Sequence, residues 1–313
     1  MDPNTGKILA LTGGRDYNKS QYNRATKAKR QIGSTIKPFL YYSALENGFT
    51  ASTTFTSEKT TFTFDNNKTY SPKNYDDKYP NKPISMAAAI AYSDNIYAVK
   101  THLFLGDNNL TNILKRVGIT SKVSDLPSLA LGAEEINMME MMQGYAALAN
   151  EGYKVEPYFI SKVTDMEGNV LYEHKDTKEN VLNKNTVYVL NELLTTTSSK
   201  EFVDYSVPTC YNISPKMTRK YAIKSGTTDT DNLIFGYNKD LLLGLWTGYD
   251  NNKPVVAKDS SNIKNTWIDI MENYLKDKGN GWYETPSNVV GVAIDPVSGK
   301  VASNGNKAKV LYY

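Results

Sequence analysis

Cysteine and histidine are almost missing from this chain: one Cys and two His among 313 residues. A single cysteine, Cys210, excludes an internal disulfide and any zinc site built on several thiolates. No metal and no cofactor is therefore expected. His102 follows an apolar helical stretch and His174 lies in a charged loop, so neither sits in the setting of a catalytic triad. The net charge is only +3, from 36 Lys and Arg against 33 Asp and Glu. The cations are dispersed and no aromatic-basic interleaving occurs, which excludes a nucleic-acid binder. No apolar run approaches the roughly 20 residues of a membrane span, and no signal peptide opens the chain. A chain of this length can bury a substantial core as one large domain or two small ones.

Against that background one stretch stands out, Gly33-Ser34-Thr35-Ile36-Lys37-Pro38. Pro38 is tolerated only near a helix start, so a helix is expected from about Ser34 to Glu46. A serine and a lysine three apart then share one face. The Ser34 hydroxyl lies near the positive helix end, where developing negative charge is stabilised. A desolvated lysine can lose its proton and act as a base. With histidine unsuited, Lys37 is the natural base. Phe39, Leu40, Tyr42 and Leu45 give this helix wide apolar coverage, as expected of a helix buried on more than one side.

Two later segments strengthen the reading. Ser93-Asp94-Asn95 is an S-x-N at the junction of two predicted helices, about Ile84 to Tyr92 and Asn95 to Leu105. A Ser or Asn helix cap is the simpler role for that junction, and it is compatible with a catalytic one. Lys224-Ser225-Gly226-Thr227 is a K-[ST]-G-T on a predicted strand, Tyr221 to Lys224. Further helices are expected over 109–117, 136–150, 184–197 and around Trp267 to Leu275. Strands are expected at Lys7 to Gly13, Leu233 to Tyr237, Leu241 to Tyr249 and Val289 to Ile294. Thr60 to Phe64 reads as part of a short hairpin with a turn at Asp65-Asn66-Asn67, and a second hairpin is expected around Glu167-Gly168. The methionines at 138, 139, 141 and 142 read as core filler. Asp2-Pro3-Asn4-Thr5-Gly6-Lys7 and Asp295-Pro296-Val297-Ser298-Gly299-Lys300 read as one turn chemistry used twice. Strands at both ends with helices between imply a sheet whose edges come from distant parts of the chain. The division expected is an α/β core, about 1–50 and 215–313, with a mostly helical insert, about 51–214.

S-x-x-K, S-x-N and K-[ST]-G in that order form the signature of the penicillin-recognising serine enzymes. Nearly the whole chain resembles the transpeptidase domain of class A penicillin-binding proteins. The blocks that carry this are Gly13-Gly14-Arg15-Asp16-Tyr17, Ser128-Leu129-Ala130-Leu131-Gly132-Ala133, Gly144-Tyr145-Ala146-Ala147-Leu148-Ala149-Asn150 and Gly244-x-Trp246-x-Gly248-Tyr249-Asp250. The resemblance implies an α/β (α+β) fold, a central antiparallel sheet sandwiched by helices beside a mostly helical subdomain. It implies D,D-transpeptidation: cross-linking of peptidoglycan stem peptides ending in D-Ala-D-Ala, with β-lactam antibiotics as covalent inhibitors. Ser34 would be the nucleophile, Lys37 its base, and Ser93 a proton carrier to the leaving amine. Asn95 would bond Lys37 and the substrate amide, and Lys224 would supply charge near the relay. Ser225, Gly226, Thr227 and Thr228 would bind substrate. Gly226 would let the strand approach the nucleophile helix. The oxyanion hole would be the N–H groups of Ser34 and Thr227, each worth roughly 2.7–4 kcal/mol of barrier. The resemblance further implies a membrane-anchored parent with an upstream glycosyltransferase domain, on the cell-envelope face of the bacterial plasma membrane. This chain would then be a piece of it.

Two features complicate the picture. Asp231-Asn232-Leu233-Ile234 is aliphatic where the family commonly has aromatics. Glu179-Asn180-Val181-Leu182-Asn183 matches the E-x-x-L-N of serine β-lactamases, though here it leads into a helix. A β-lactamase, a D,D-carboxypeptidase and a penicillin-binding sensor domain remain alternatives.

Overall fold

The computed structural model describes residues 1–302 and 308–313. Its centre is an antiparallel sheet of three strands in sequential order, β1 (Ala222–Thr227), β2 (Asp231–Tyr237) and β3 (Leu242–Gly248). Every residue of β2 is buried, as a strand covered on both faces must be. Leu233, Phe235 and Tyr237 face the main core. Ile223 and Ile234 face the other way, onto Trp267, Ile268 and Met271. Those residues belong to helix α7 (Ala257–Leu275). The indole of Trp267 lies flat enough on the sheet that a Cβ at Gly236 would come within 2.4 Å of it.

After a four-residue helix at Arg24–Lys27, the helices ahead of the sheet include α1 (Lys37–Glu46), α2 (Met86–Tyr92), α3 (Asn95–Leu105), α4 (Asn109–Arg116), α5 (Met138–Ala149) and α6 (Lys184–Leu194). α1 is buried from Lys37 through Ala44, which is what an apolar surface all round requires. It packs with α3, α4 and α6 on the sheet's inner side. The sandwich of helices about a central antiparallel sheet matches the expected fold class. No helix among the described residues is long and apolar enough to cross a membrane. Met141 is buried, and Met138 and Met142 pack against the core, in keeping with a filler role.

Both hairpins expected from the sequence are present, Phe62–Thr63 with Thr69–Tyr70 and Lys162–Thr164 with Val170–Glu173. The repeated turn is also real. Gly6 donates to the Asp2 carbonyl and Gly299 to that of Asp295, at 3.0 and 2.9 Å, while Asp2 and Asp295 donate to Lys7 and Lys300. Both glycines sit at positive φ, +87° and +71°, where a side chain is disfavoured.

Three expectations about strands and helices need correction. Lys7 to Gly13 is not a strand: only Lys7 makes a bridge, to Tyr158. The chain's start meets the sheet at one residue, Met1, which exchanges two backbone hydrogen bonds with Leu242 at 3.0 Å. At the other end, Gly291–Ile294 pairs with Lys309–Tyr312 and not with the sheet. Apolar alternation marks a strand but does not name its partner. Helix α7 also starts about ten residues earlier than expected. Among the residues of its polar first half whose burial is described, Ile263 alone is buried, and Asp259 accepts from the Val256 N–H at its start, a capping contact favoured by the dipole.

Candidate active site

The segment before α1 is set by two glycines. Gly33 adopts φ +52° and donates to the Gly132 carbonyl at 3.0 Å. A Cβ on Gly132 would lie 2.0 Å from the Gly33 oxygen, so only glycine allows this contact. The turn Gly33–Ile36 is a 3-10 helix, and regular α geometry starts at Lys37. With three residues per turn, Ser34 and Lys37 are eclipsed on one face. Thr35 anchors the turn: its hydroxyl donates to the Ile32 carbonyl at 2.6 Å, and its carbonyl accepts from Tyr145 at 2.7 Å. Ser34 is left half-buried.

Lys37 is fully buried. Its Nζ donates to the Ser93 carbonyl at 2.7 Å, the Ser93 hydroxyl at 3.2 Å, the Asp94 carbonyl at 3.2 Å and Asn95 Oδ1 at 2.7 Å. The S-x-N motif and the S-x-x-K motif are thus joined through one ammonium. Burial drives the Lys37 pKa well below the ordinary lysine value, and the charge of Lys224 adds to this; the Asp94 carboxylate opposes both.

α2 ends at Ser93, which sits in the left-handed region at φ 57° and ψ 43°. Asp94 is the N-cap of α3, accepting from the Tyr97 N–H at 2.8 Å. The N-cap of α3 is thus neither Ser93 nor Asn95, while Ser93 is the C-cap of α2, so the capping role expected at this junction falls to the serine only on the other helix. Asp94 takes the backbone duty, and the Ser93 hydroxyl and Asn95 amide remain free to face Lys37.

Strand β1 closes the cleft. Gly226 lies against the Gly33–Ile36 turn: a Cβ there would be 2.9 Å from the Ile32 oxygen and 3.1 Å from the Thr35 nitrogen. Close approach therefore requires glycine, as expected from the sequence. From the other side, a Cβ on Gly33 would lie 3.4 Å from the Thr227 nitrogen. Thr228 N bonds the Asp231 carbonyl at 2.9 Å, so by ladder alternation the Thr227 N–H turns away from β2 and off the sheet edge. Lys224 is buried, with Nζ donating to the Ser225 carbonyl at 2.6 Å and not to Ser93. Ser225 is buried, whereas Thr227 is exposed with its hydroxyl 3.3 Å from Asn232 Oδ1. Thr228 is committed elsewhere. Its hydroxyl lies 3.2 Å from Asp231 Oδ2 and accepts from the N–H groups of Thr230 and Asp231.

Burial pushes the Lys224 pKa down to about 7; the neighbouring Cys210 acts against this and the Lys264 ammonium with it. Unfolded, the same lysine returns to 10.5. Between those values the unfolded chain binds the extra proton, so stability must rise with pH from about 7 toward 10. The urea midpoint is therefore expected to gain more between about pH 7 and about pH 9 in the wild type than in Lys224→Met. Equal gains in the two proteins would show that Lys224 is charged in the folded state.

The aliphatic stretch after Asp231 finds its explanation here. Asp231 is buried and accepts from Arg30 Nε and Trp246 Nε1, both at 2.7 Å, and from Thr230 at 2.5 Å. Burial opposes its ionisation, but these donors hold the carboxyl below its usual range. Arg30 also stacks over the Trp246 ring at 5.4 Å. The aromatic wall thus comes from β3, through Trp246, and not from the residues after Asp231. Trp246 was legible in the sequence as part of a block, but nothing there marked its partner Arg30.

The other candidates stand apart. Glu179 pairs with Lys154 at 2.6 Å on a two-stranded ladder, with its side chain 66% exposed. It lies on the short strand Glu179–Asn180, and the motif's last residue, Asn183, is the N-cap of α6, so the string leads into a helix as expected. Cys210 is buried. His102 faces Asp125 at 3.7 Å, and His174 stacks on Tyr158 at 3.6 Å. Among the described residues no group of His, Cys, Asp and Glu is placed to hold a metal ion.

Comparison with known proteins agrees with this geometry. Residues 1–259 match the model of the penicillin binding protein transpeptidase domain. Penicillin-binding protein 2D of Bacillus subtilis is 47% identical over 315 residues, covering 100% of this chain and 46% of that protein. Penicillin-binding protein 1A of Aquifex aeolicus is 35% identical, over 95% of this chain and 40% of its own length. The chain thus spans less than half the length of these curated relatives. The solved penicillin-binding protein 1A of Haemophilus influenzae superposes with a TM-score of 0.91 at 26% identity, covering 99% of this chain and 52% of that one. PonA1 of Mycobacterium tuberculosis in complex with penicillin V shares the fold at 21% identity and a TM-score of 0.78. A family match that takes in all three motifs lining the cleft, on a fold shared end to end, makes this chain a member of the penicillin-binding protein transpeptidase domain family.

Proposed function

We propose that the chain is a serine D,D-transpeptidase that cross-links peptidoglycan stem peptides through an acyl-enzyme on Ser34. One observation carries this reading: the buried Lys37 amino group, three residues after Ser34, joins the nucleophile turn to Ser93 and Asn95. Neutral Lys37 takes the Ser34 proton as Oγ bonds the penultimate D-Ala carbonyl carbon. The N–H groups of Ser34 and Thr227 hold the oxyanion. The C–N bond then breaks, and the terminal D-Ala amine leaves with a proton passed through Ser93. An amine from a second stem peptide attacks the ester, and Ser34 recovers its proton. Ser225 and Thr227 bind the substrate carboxylate, whose negative charge favours the protonated form of Lys224, and Lys224 then supplies positive charge beside this relay. Lys37 is not bonded to Ser34 in the resting arrangement, a looseness common before substrate binds. Catalytic function in a longer, membrane-anchored parent at the outer face of the plasma membrane, with a glycosyltransferase domain upstream, is part of the same proposal. The greater length of the relatives supports it.

A β-lactamase would need a carboxylate to activate water at the acyl-enzyme. Glu179 is bound to Lys154, and the segment after it meets the far end of α1, where the Asn183 N–H donates to the Tyr42 hydroxyl at 2.7 Å. Tyr42 lies eight residues beyond Ser34, or about 12 Å along a helix axis. Benzylpenicillin is therefore expected to add once, to Ser34, and intact-mass spectra should still show the adduct after many minutes, in wild type and in Glu179→Ala alike. Recovery of free enzyme within seconds, slowed by Glu179→Ala, would favour hydrolysis. Product analysis with a donor stem peptide and an acceptor amine then separates transfer from D,D-carboxypeptidation: a cross-linked product is expected, and free tetrapeptide alone would overturn transpeptidation.

A further inference from the structure

Behind the S-x-N turn lies a second buried polar cluster, which joins the middle residue of that motif to two residues outside all three motifs. It is built from Asp94, Asn74 and Ser57, which are 4%, 9% and 0% exposed. Asp94 Oδ2 accepts from Ser57 Oγ at 2.6 Å and from Asn74 Nδ2 at 2.7 Å, while its Oδ1 caps α3. Asn74 uses its other end as well. Its Oδ1 accepts from the N–H of Asn95 at 2.8 Å and from that of Ile96 at 3.4 Å. The first N–H groups of a helix have no partner within it. Here the side chain of Asn74, 21 residues before Asn95, meets two of them and holds the capping carboxylate as well. The adjacent Lys73 carbonyl accepts from Asn95 Nδ2 at 2.6 Å. That contact orients the Asn95 amide with its oxygen on Lys37 and leaves one amide hydrogen free.

The consequence reaches the reacting groups. All four acceptors around Lys37 Nζ belong to residues 93–95. Ser93 adopts a left-handed backbone that is uncommon outside glycine. Such a conformation persists when its surroundings over-determine it. The surroundings here are the Ser57–Asn74–Asp94 network, contributed by two segments far upstream.

We propose that Asn74, supported by Ser57, is a positioning residue that holds Ser93 and Asn95 in register with Lys37; this rests on the transpeptidase reading. The role needs an amide. Oδ1 must accept two N–H groups and Nδ2 must donate to a carboxylate. The isosteric Asn74→Asp cannot donate and brings a second carboxylate to Asp94, so it should fail as Asn74→Ala does. A residue that merely fills space would tolerate Asp.

The test is the second-order rate of acylation by benzylpenicillin, with thermal midpoints and labelling stoichiometry measured alongside. Asn74→Ala and Asn74→Asp are each expected to acylate about 10- to 100-fold more slowly, the scale of a small misplacement of reacting groups. Both should still label once, at Ser34, given time, with the loss in the acylation step and not in non-covalent binding. Because Asn74 acts through Asn95 and Ser93, Asn74→Ala should cost little more in an Asn95→Ala background. Acylation of a folded Asn74→Ala protein within twofold of wild type would overturn the proposal, as would fold-losses that multiply in the double variant. If Asn74→Ala does not fold, Ser57→Ala decides by the same two criteria. The transpeptidase reading is judged separately, by wild-type labelling, its loss in Ser34→Ala and the cross-linked product.

Discussion

Ser34→Ala is expected to abolish covalent labelling by a fluorescent penicillin while leaving the circular dichroism spectrum and the melting curve close to those of wild type. The effect is complete because the oxygen that would carry the acyl group is removed, and neighbouring groups are committed: the Thr227 hydroxyl lies 3.3 Å from Asn232 Oδ1. Cys210 is buried, and the Ser93 hydroxyl is engaged by Lys37. The fold should not notice the change. Ser34 is half-buried, and the turn that holds it is anchored by neighbours, through Gly33 N–H to Gly132, Thr35 to Ile32 and Tyr145 to Thr35. An N-terminal 3-10 turn tolerates alanine well. Labelling of a folded Ser34→Ala protein at the wild-type level would remove the central claim.

The second large effect concerns Lys37. General base catalysis contributes about 10²- to 10⁴-fold, and Lys37→Ala is expected to lose acylation on that scale. No histidine is placed to replace it, since His102 and His174 have partners elsewhere. The pH profile carries the second signature. The base works only when neutral, and burial with the Lys224 charge keeps its folded pKa well below the ordinary value. Wild-type acylation should therefore rise with pH at values far below those where a free lysine titrates. Lys37→Ala should lack that limb. A variant that acylates within a few-fold of wild type, with an unchanged profile, would show that the lysine is a structural cation and that the proton goes elsewhere. Thermal melts of the same variant separate this from unfolding.

Much of the site could be read from the chain because its chemistry is written in short spacings. S-x-x-K at a helix start, S-x-N at a helix junction and K-S-G-T on a strand are local patterns, and each element formed where its pattern lies. Gly226 is a good example: a glycine in a strand signals a close backbone approach, and the approach is to Ile32 and Thr35. The repeated Asp-Pro turn was equally legible, since its hydrogen bonds span six residues or fewer.

Other features left no local mark. Thr228 looked like a binding residue by position, yet its hydroxyl is consumed by the turn to Asp231. Asp94 was the unspecified middle residue of a motif, and it proved to be the cap that holds both flanking residues toward Lys37. Asn74 and Ser57 gave no signal in a Thr- and Asn-rich stretch that reads as irregular wall. Glu179 carried a misleading one, because its motif is local but its distance from Ser34 is not.

By itself, then, the sequence picked out the candidate reacting groups, the helix that follows Ser34, and several of the turns between elements. Backbone propensity, capping and side-chain period act over a few residues, so they are present in the order of the amino acids. Only the tertiary structure decided that Arg30 meets Asp231 across 201 residues, that Asn74 caps α3, and that Lys224 sits dry near Lys37. These depend on which distant segments share one buried volume. Burial is also what shifts the lysines, because desolvation penalises charge according to surroundings that no single segment supplies.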